Sequence, residues 1–161
     1  GQAGGIIVDV DYVADRALET TIGGNNIRVE IPRRRPVVLD QAGILYAGTG
    51  IPGGEARSSA SISGNSISSA HTPAQYGIAL GQTALTCADA AANGVVVIDT
   101  DYTGLSVGPY LQPSGVPKGG YAVYLSPLTT GNTVDEPTLL CADIEGDGSL
   151  NTITASGVEC S

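Results

Sequence analysis

Short runs in which β-branched apolar residues alternate with polar residues are the feature that most constrains this chain. In residues 8–12 the side chains of Val8, Val10 and Tyr12 fall on one face of an extended strand, and two Asp side chains fall on the other. Residues 26–31 repeat the pattern with three apolar side chains against Arg28 and Glu30. A period of two residues belongs to a strand with one face in the core and one in water. The pattern therefore predicts strands.

The composition narrows the fold further. The 161 residues include no Phe, Trp or Met, and seven Tyr are the only aromatic residues, so the core must consist of Val, Ile, Leu and Ala. The chain also has 23 Gly and nine Pro, which separate the apolar runs along its length. Many short strands divided by Gly and Pro are typical of sandwiches and barrels. We predict an all-β, sandwich-like or barrel-like domain of about ten short strands.

The individual segments are assigned from the same patterns. Strands are predicted at residues 4–13, 26–31, 36–40, 43–47, 76–80, 95–102, 121–125, 138–142 and 150–155. Residues 14–21 have mild helical character, and the Ala-rich residues 83–93 predict one or two helical turns. The Ser-rich residues 58–69 are predicted to form a surface loop, with a polar edge strand as the alternative. The runs at 5–12 and 94–102 are similar, which we attribute to shared strand composition rather than to duplication.

The N-terminal strand is a candidate assembly element. Residues 1–13 are predicted to form a strand or arm, possessing a Gly-rich start, and residues 14–161 a single β-rich domain. A strand of this kind can leave its own domain and complete the sheet of a neighbour. Pairing within its own domain is the alternative. The residues that would make the contact are Ile6, Ile7, Val8, Val10 and Tyr12.

The charge of the chain is acidic and uneven. The formal net charge is −9, which argues against a nucleic-acid partner because such proteins normally carry a basic surface. Residues 1–57 hold six of the seven basic residues and seven acidic ones, whereas residues 58–161 hold one basic and nine acidic residues. This asymmetry favours contacts between copies of the chain. A solvated acidic surface is the alternative. No apolar stretch is long enough to span a membrane.

Three cysteines indicate a disulfide rather than a metal site. Cys87, Cys141 and Cys160 are too few and too widely spaced for a zinc signature. A disulfide between Cys141 and Cys160 would close a short loop in an oxidising compartment. A Cys87–Cys141 bond is the competing pairing, and the sequence does not choose between them.

The acidic loop at residues 143–151 is the strongest candidate site. Asp143, Glu145 and Asp147 supply oxygen ligands at alternate positions, and Asn151 adds another after a Gly turn. The run resembles the first nine residues of an EF-hand or dockerin loop, and the resemblance implies calcium. It departs from that pattern at Thr154, where a bidentate acid is expected. The alternative is an acidic turn between two strands.

No catalytic arrangement is evident, so the chain is predicted not to be an enzyme. The pairs Asp9/Asp11 and Asp99/Asp101 fall on the wet faces of predicted strands. His71 is the only His, and neither a GxSxG motif nor a P-loop occurs. Catalytic residues are therefore predicted to be absent.

These observations favour a self-assembling structural subunit of an extracellular filament or pilus, joined by β-strand contacts between copies. The expected location is the cell surface or the extracellular space. A virion structural protein, such as a capsid-decorating or fibre protein, is the first alternative. A secreted, calcium-dependent carbohydrate-binding module is the second, although sugar sites favour Trp and none is present.

Overall fold

The structure is a computed structural model of the 161-residue chain. It describes residues 3–9, 18–30, 41–47, 58–70, 76–81, 92, 94–103, 108–111, 117–127 and 129–161. The predicted strand at residues 36–40 and most of the predicted helical turns at residues 83–93 lie outside the described residues.

The described residues form strands and one short 3₁₀ helix. The strands are β1 (Ala3–Asp9), β2 (Leu18–Gly23), β3 (Asn26–Glu30), β4 (Gln41–Ala47), β5 (Ser58–Ser63), β6 (Ser66–Ala70), β7 (Tyr76–Leu80), β8 (Val95–Ile98), β9 (Asp101–Thr103), β10 (Gly108–Leu111), β11 (Pro117–Leu125), β12 (Thr133–Glu136), β13 (Ile144–Glu145), β14 (Thr152–Ala155) and β15 (Val158–Glu159). The 3₁₀ helix, η1, spans Cys141–Asp143.

The strands stack into three sheets, and most neighbouring strands run parallel. The first sheet has the order β1-β4-β7-β11-β10, with β13 also paired to β11. The second has the order β15-β14-β12-β8-β5-β2, and the third β3-β6-β9. The chain visits the sheets in turn, so β1–β3, β4–β6 and β7–β9 are three successive coils, which we call rungs. A fourth rung contains β11 and β12, and a fifth contains β13 and β14. The result is a parallel β-solenoid.

The prediction of a sandwich-like or barrel-like domain was therefore wrong, although the all-β prediction is confirmed. Sandwiches and barrels of short strands are built mainly from antiparallel neighbours. Here only β10 with β11 and β14 with β15 pair antiparallel among the described strands. The alternating pattern specifies which face of a strand is buried, but it carries no information about the direction of the neighbouring strand.

Columns of aliphatic side chains fill the interior of the solenoid. In the second sheet the aligned residues are Ile22, Ile62, Val97, Val134 and Ile153, one from each rung. In the first sheet they are Ile6, Ile44, Ile78, Val123 and Ile144. Full burial of such a side chain stabilises the fold by about 1.5–3 kcal/mol. Because each column needs only aliphatic residues of similar size, a core without Phe, Trp or Met suffices.

The second and third sheets meet at a two-residue turn that recurs in three rungs. Gly24 and Gly64 occupy its first position with φ values of 66° and 61°, and Asp99 has φ 50° at the same place in the third rung. Positive φ is costly for most residues but not for Gly. The second position holds Asn25, Asn65 and Thr100, respectively. The turn thus joins two strands that bury Ile22 and Ile27 in one rung, and their counterparts Ile62 and Ile67 in the next.

The first sheet is buried on its outer face as well. All five residues of β7 are buried. A small apolar cluster on this outer face contains Ala42, Leu45, Tyr76 and Ala79, with Tyr121 and Tyr124 packed against it. The rings of Tyr76 and Tyr124 stack with centroids 4.7 Å apart. Burial on both faces is typical of parallel sheets. Tyr76 is almost fully buried here, whereas Tyr121 and Tyr124 are half-buried.

Candidate functional site

The predicted calcium ligands have separate structural roles. Asp143 ends η1, and its Oδ2 accepts a hydrogen bond from the backbone N–H of Leu140 at 2.8 Å. Glu145 is exposed on β13 and accepts a hydrogen bond from the hydroxyl of Tyr121. Partial burial of that hydroxyl, together with the Glu145 carboxylate, raises the pKa of Tyr121.

The remaining two ligands lie on either side of the following turn. Asp147 Oδ1 accepts hydrogen bonds from the N–H and the hydroxyl of Ser149, and these bonds lower the pKa of Asp147. Asn151 donates through Nδ2 to the Asp147 carbonyl at 3.2 Å, so this pair is brought together through the backbone of Asp147.

The described residues contain no group of three or more His, Cys, Asp or Glu that could hold a metal ion. The side-chain oxygen of Asn151 already accepts hydrogen bonds from the N–H and from the Nδ2 of Asn132. Calcium at Asp143, Glu145, Asp147 and Asn151 stays a prediction, and these bonds would have to rearrange for Asn151 to coordinate it.

Two stacks of asparagine side chains join successive rungs from the inside. In the first stack, Asn65 Oδ1 accepts from the N–H of Asn25 at 3.1 Å and from its Nδ2 at 3.0 Å, while Asn65 Nδ2 donates to the Ile22 carbonyl. In the second stack, Asn132 Oδ1 accepts from the N–H of Val95 at 2.8 Å. Asn65 and Asn132 are almost fully buried, so their hydrogen bonds are needed to offset the loss of water.

The sequence analysis missed these stacks, but a signal for the first one is present. The motif Ile-x-Gly-Asn-x-Ile occurs at residues 22–27 and again at 62–67. Asn25 and Asn65 are 40 residues apart in the chain and bonded in the structure. A repeat of this length is the signature of a solenoid.

A polar pocket lies beside the second stack. It has a volume of about 240 Å³ and is lined by residues 131–133 and 148–152. Asn132 and Asn151 form its inner wall, while the side chains of Ser149, Leu150 and Thr152 are exposed at its rim. The acidic loop singled out from the sequence therefore contributes one wall of this pocket.

The C-terminal end of the solenoid is closed covalently. Cys141 is bonded to Cys160, with their Cα atoms 5.5 Å apart, so the first of the two pairings considered is the one present. Cys87 lies outside the described residues. The N–H of Cys160 also donates to the Ile153 carbonyl at 2.8 Å, which ties the last residues to β14. This end is thus held by a disulfide and by the antiparallel β14–β15 pair.

A buried carboxyl group joins the third and fourth rungs. Glu136 is 0% exposed; its Oε2 accepts from the N–H of Thr100 and its Oε1 from the hydroxyl of Tyr102, both at 3.0 Å. Burial raises the pKa of Glu136 to about 7 against the lowering effect of these bonds, and the carboxylates of Asp99 and Asp135 add to the rise. Burial and the neighbouring Glu136 raise the pKa of Tyr102 well above its usual value.

The predicted assembly strand is found in β1, at one edge of the first sheet. It pairs in parallel with β4 of the same chain, with Ile6 beside Ile44 and Val8 beside Tyr46. Ile6 and Val8 pack partly buried against the main core. Ile7 is aligned with Leu45, whereas Val10 and Tyr12 lie outside the described residues.

Comparisons with known proteins return no relative. No protein-family model matches the chain, and neither a curated protein nor a solved structure is significantly similar to it. Within the described ranges, no helix is long and apolar enough to cross a membrane.

Proposed function

We propose that this chain is an extracellular structural subunit that assembles with copies of itself through the exposed edges of its first rung. The observation that carries the proposal is the difference between the two ends of the solenoid. At one end, each of β1, β2 and β3 has a single partner strand among the described residues. At the other end, β13 and β15 also have a single partner strand each among the described residues, but they are only two residues long, and the disulfide ties down the last rung. Unpaired strand edges are templates for pairing with another chain.

The hydrogen bonds of β2 indicate which backbone groups are available. The N–H of Gly24 donates to the Ser63 carbonyl at 3.2 Å, and the carbonyl of Ile22 accepts from the Nδ2 of Asn65. The backbone groups of Ile22 and Gly24 therefore point toward the second rung. In a strand with parallel neighbours, successive residues point their backbone groups to opposite sides. The N–H and C=O of Thr21 therefore point away from the second rung. The side chain of Thr21 is exposed as well.

Backbone groups rather than apolar side chains would drive this contact. Ile22 and Ile27 of the first rung are each only 6% exposed, so the interior at this end is already nearly dry. The exposed side chain of Glu19 can add charge pairing at the rim of the contact. In this proposal β1 stays paired with β4 of its own chain, and its free edge pairs with another copy. It does not leave its own sheet to complete the sheet of a neighbour.

The symmetry of the contact determines whether the copies form a closed dimer or a filament. A twofold contact between two first rungs gives a closed dimer, whereas a contact between unlike surfaces propagates as a filament. We propose the second form, a filament or pilus. The alternative is a fibre or capsid-decorating protein of a virion, in which the same first-rung edge would contact a different protein of the particle.

The test uses a proline that blocks one outward N–H. Proline is tolerated on an edge strand whose N–H faces solvent, so Thr21→Pro is expected to fold but not to associate. Thr21→Val keeps the N–H and is the matched control, while Thr21→Lys places a charge on the same edge as a second disrupting variant. Light scattering across a concentration series and electron microscopy report the assembly, and circular dichroism reports folding.

The expected result is concentration-dependent polymers for the wild type and for Thr21→Val, and monomers for the other two variants. A wild-type chain that stays monomeric at every concentration would overturn the proposal. Polymers that persist in folded Thr21→Pro and Thr21→Lys would also overturn it, because the first-rung edge would then not be the contact.

A further inference from the structure

We propose that the pocket lined by residues 131–133 and 148–152 binds a neutral polysaccharide, whose chain continues along a row of mostly hydroxyl-bearing residues on the second sheet. The pocket itself lies at the end of the solenoid that the disulfide holds, away from the first-rung edge, so binding there can be tested separately from assembly. It needs no metal ion.

The first argument is the chemistry of the pocket. The residues that line it are Gly, Asn, Thr, Ser and Leu, with no charged side chain among them. Cationic side chains are the strong partners of phosphate and carboxylate ligands, and carboxylates are the main ligands of divalent metals, so this lining favours a neutral ligand. Hydroxyl groups both donate and accept hydrogen bonds, as sugar hydroxyls do. The exposed Leu150 at the rim adds an apolar contact for the C–H face of a sugar ring.

The second argument is that two hydroxyls at this site have no hydrogen-bond partner in the part of the chain that the structure describes. Thr133 and Thr152 are aligned neighbours on β12 and β14, and both line the pocket. Within the described residues neither hydroxyl takes part in a hydrogen bond. By contrast, the amides of Asn132 and Asn151 are occupied by their bonds to each other and to the backbone. The inner wall of the pocket is thus fixed by hydrogen bonds within the chain, whereas the hydroxyls of Thr133 and Thr152 can bind a ligand.

The third argument is rigidity. The N–H of Gly131 donates to the Leu150 carbonyl at 2.8 Å, and the N–H of Thr152 donates to the Asn132 carbonyl at 2.9 Å. These bonds join the two walls of the pocket, and the disulfide ties down the adjoining chain. A site held in this way does not lose much conformational entropy when a ligand binds.

The fourth argument is the row that leads away from the pocket. The row of Thr152 and Thr133 continues across the sheet into Val96, Ser61 and Thr21, one residue per strand. Four of the five residues bear a hydroxyl, and the exposed Val96 adds an apolar contact. Neighbouring strands are about 4.8 Å apart, so five positions span about 19 Å. A pocket of about 240 Å³ is smaller than typical sites for drug-sized ligands. It therefore suits one end of a chain molecule that lies along this row.

The experiment is affinity electrophoresis in native gels that contain dextran, mannan, galactan or mixed-linkage β-glucan, with a gel of anionic polygalacturonate for comparison. Thr133→Val and Thr152→Val remove each hydroxyl with little change in shape, alone and together. Thr154→Val is the matched control, because Thr154 lies on the same strand as Thr152 but does not line the pocket. Thermal melts monitored by circular dichroism check that each variant is folded.

We expect at least one neutral polysaccharide to retard the wild type, with or without a chelator. The double variant should bind about tenfold more weakly, as expected for lost hydrogen bonds, and Thr154→Val should bind as the wild type does. Retardation by none of the neutral polymers, or by polygalacturonate alone, would overturn the inference. Equal retardation of the folded double variant, or binding that a chelator abolishes, would overturn it too.

Discussion

Replacing Glu136 by Gln should change the pH dependence of stability in a defined direction. Burial raises the pKa of Glu136 in the folded chain from 4.5 to about 7. The folded state then holds its proton more tightly than the unfolded state, so this group's contribution to stability is complete below about pH 4.5 and is lost as the pH rises to about 7. At about 1.4 kcal/mol per pH unit the loss is at most about 3 kcal/mol, and we take about 2 kcal/mol as the expected size.

Gln resembles the protonated acid in shape. Its oxygen can accept from the N–H of Thr100, and its Nε2 can donate to the hydroxyl of Tyr102, which replaces both contacts of Glu136. Glu136→Gln should therefore match the wild type at pH 4.5 and exceed its free energy of unfolding by about 2 kcal/mol at pH 8.5.

Urea unfolding followed by circular dichroism measures both free energies. Glu19→Gln, which removes an exposed carboxylate, is the control, and its difference from the wild type should be the same at both pH values. The reasoning is refuted if the difference between Glu136→Gln and the wild type does not change with pH.

Three further predictions concern stability. Asn65→Ala removes three hydrogen bonds between the first two rungs and should lower the free energy of unfolding in urea by about 3 kcal/mol, whereas exposed Asn26→Ala should change it little. Equal losses would contradict the stack. Replacing both Cys141 and Cys160 by Ala opens a loop with a sequence separation of 19 and should cost about 3 kcal/mol, read from the same unfolding curves; an unchanged midpoint would contradict this. The calcium prediction requires a higher melting temperature with calcium than with a chelator, and equal midpoints would reject it.

The sequence predicted where many strands lie because alternation is a local property. The predicted strands at residues 26–31, 76–80 and 121–125 correspond closely to β3, β7 and the end of β11. The predicted strand at 95–102 is divided into β8 and β9 by the turn at Asp99. That division depends on a positive φ at a residue other than Gly, which composition does not indicate.

The parallel stacking was not predictable by the same reasoning. The Ser-rich residues 58–69, expected to form a loop, contain β5 and β6 instead. Their apolar content is low because only one face of each strand fills the interior, through Ala60 and Ile62 on β5 and Ile67 on β6. The alternative of a polar strand was closer to the structure. Strand direction depends on partners far away in the chain, as the bond between Asn25 and Asn65, 40 residues apart, illustrates.

The candidate sites show the same limit. The acidic residues of the 143–151 loop were identified from their spacing, but their contacts with Leu140, Tyr121 and Ser149 depend on the folded chain. The burial of Glu136 is also a consequence of stacking, since its partners Thr100 and Tyr102 belong to the preceding rung. The sequence pattern alone does not indicate that Glu136 is buried.

Both functional proposals depend on the order of the rungs, which pyrene excimer fluorescence can measure directly. In a Cys87→Ala background, pyrene is attached at Ser61→Cys and Val96→Cys, which are aligned neighbours on β5 and β8. The control pair is Ser61→Cys with Thr152→Cys, which two intervening strands separate in the same sheet. At high dilution, the solenoid predicts excimer emission from the first pair and monomer emission from the second. Monomer emission from the first pair, or equal excimer emission from both, would contradict the parallel stacking.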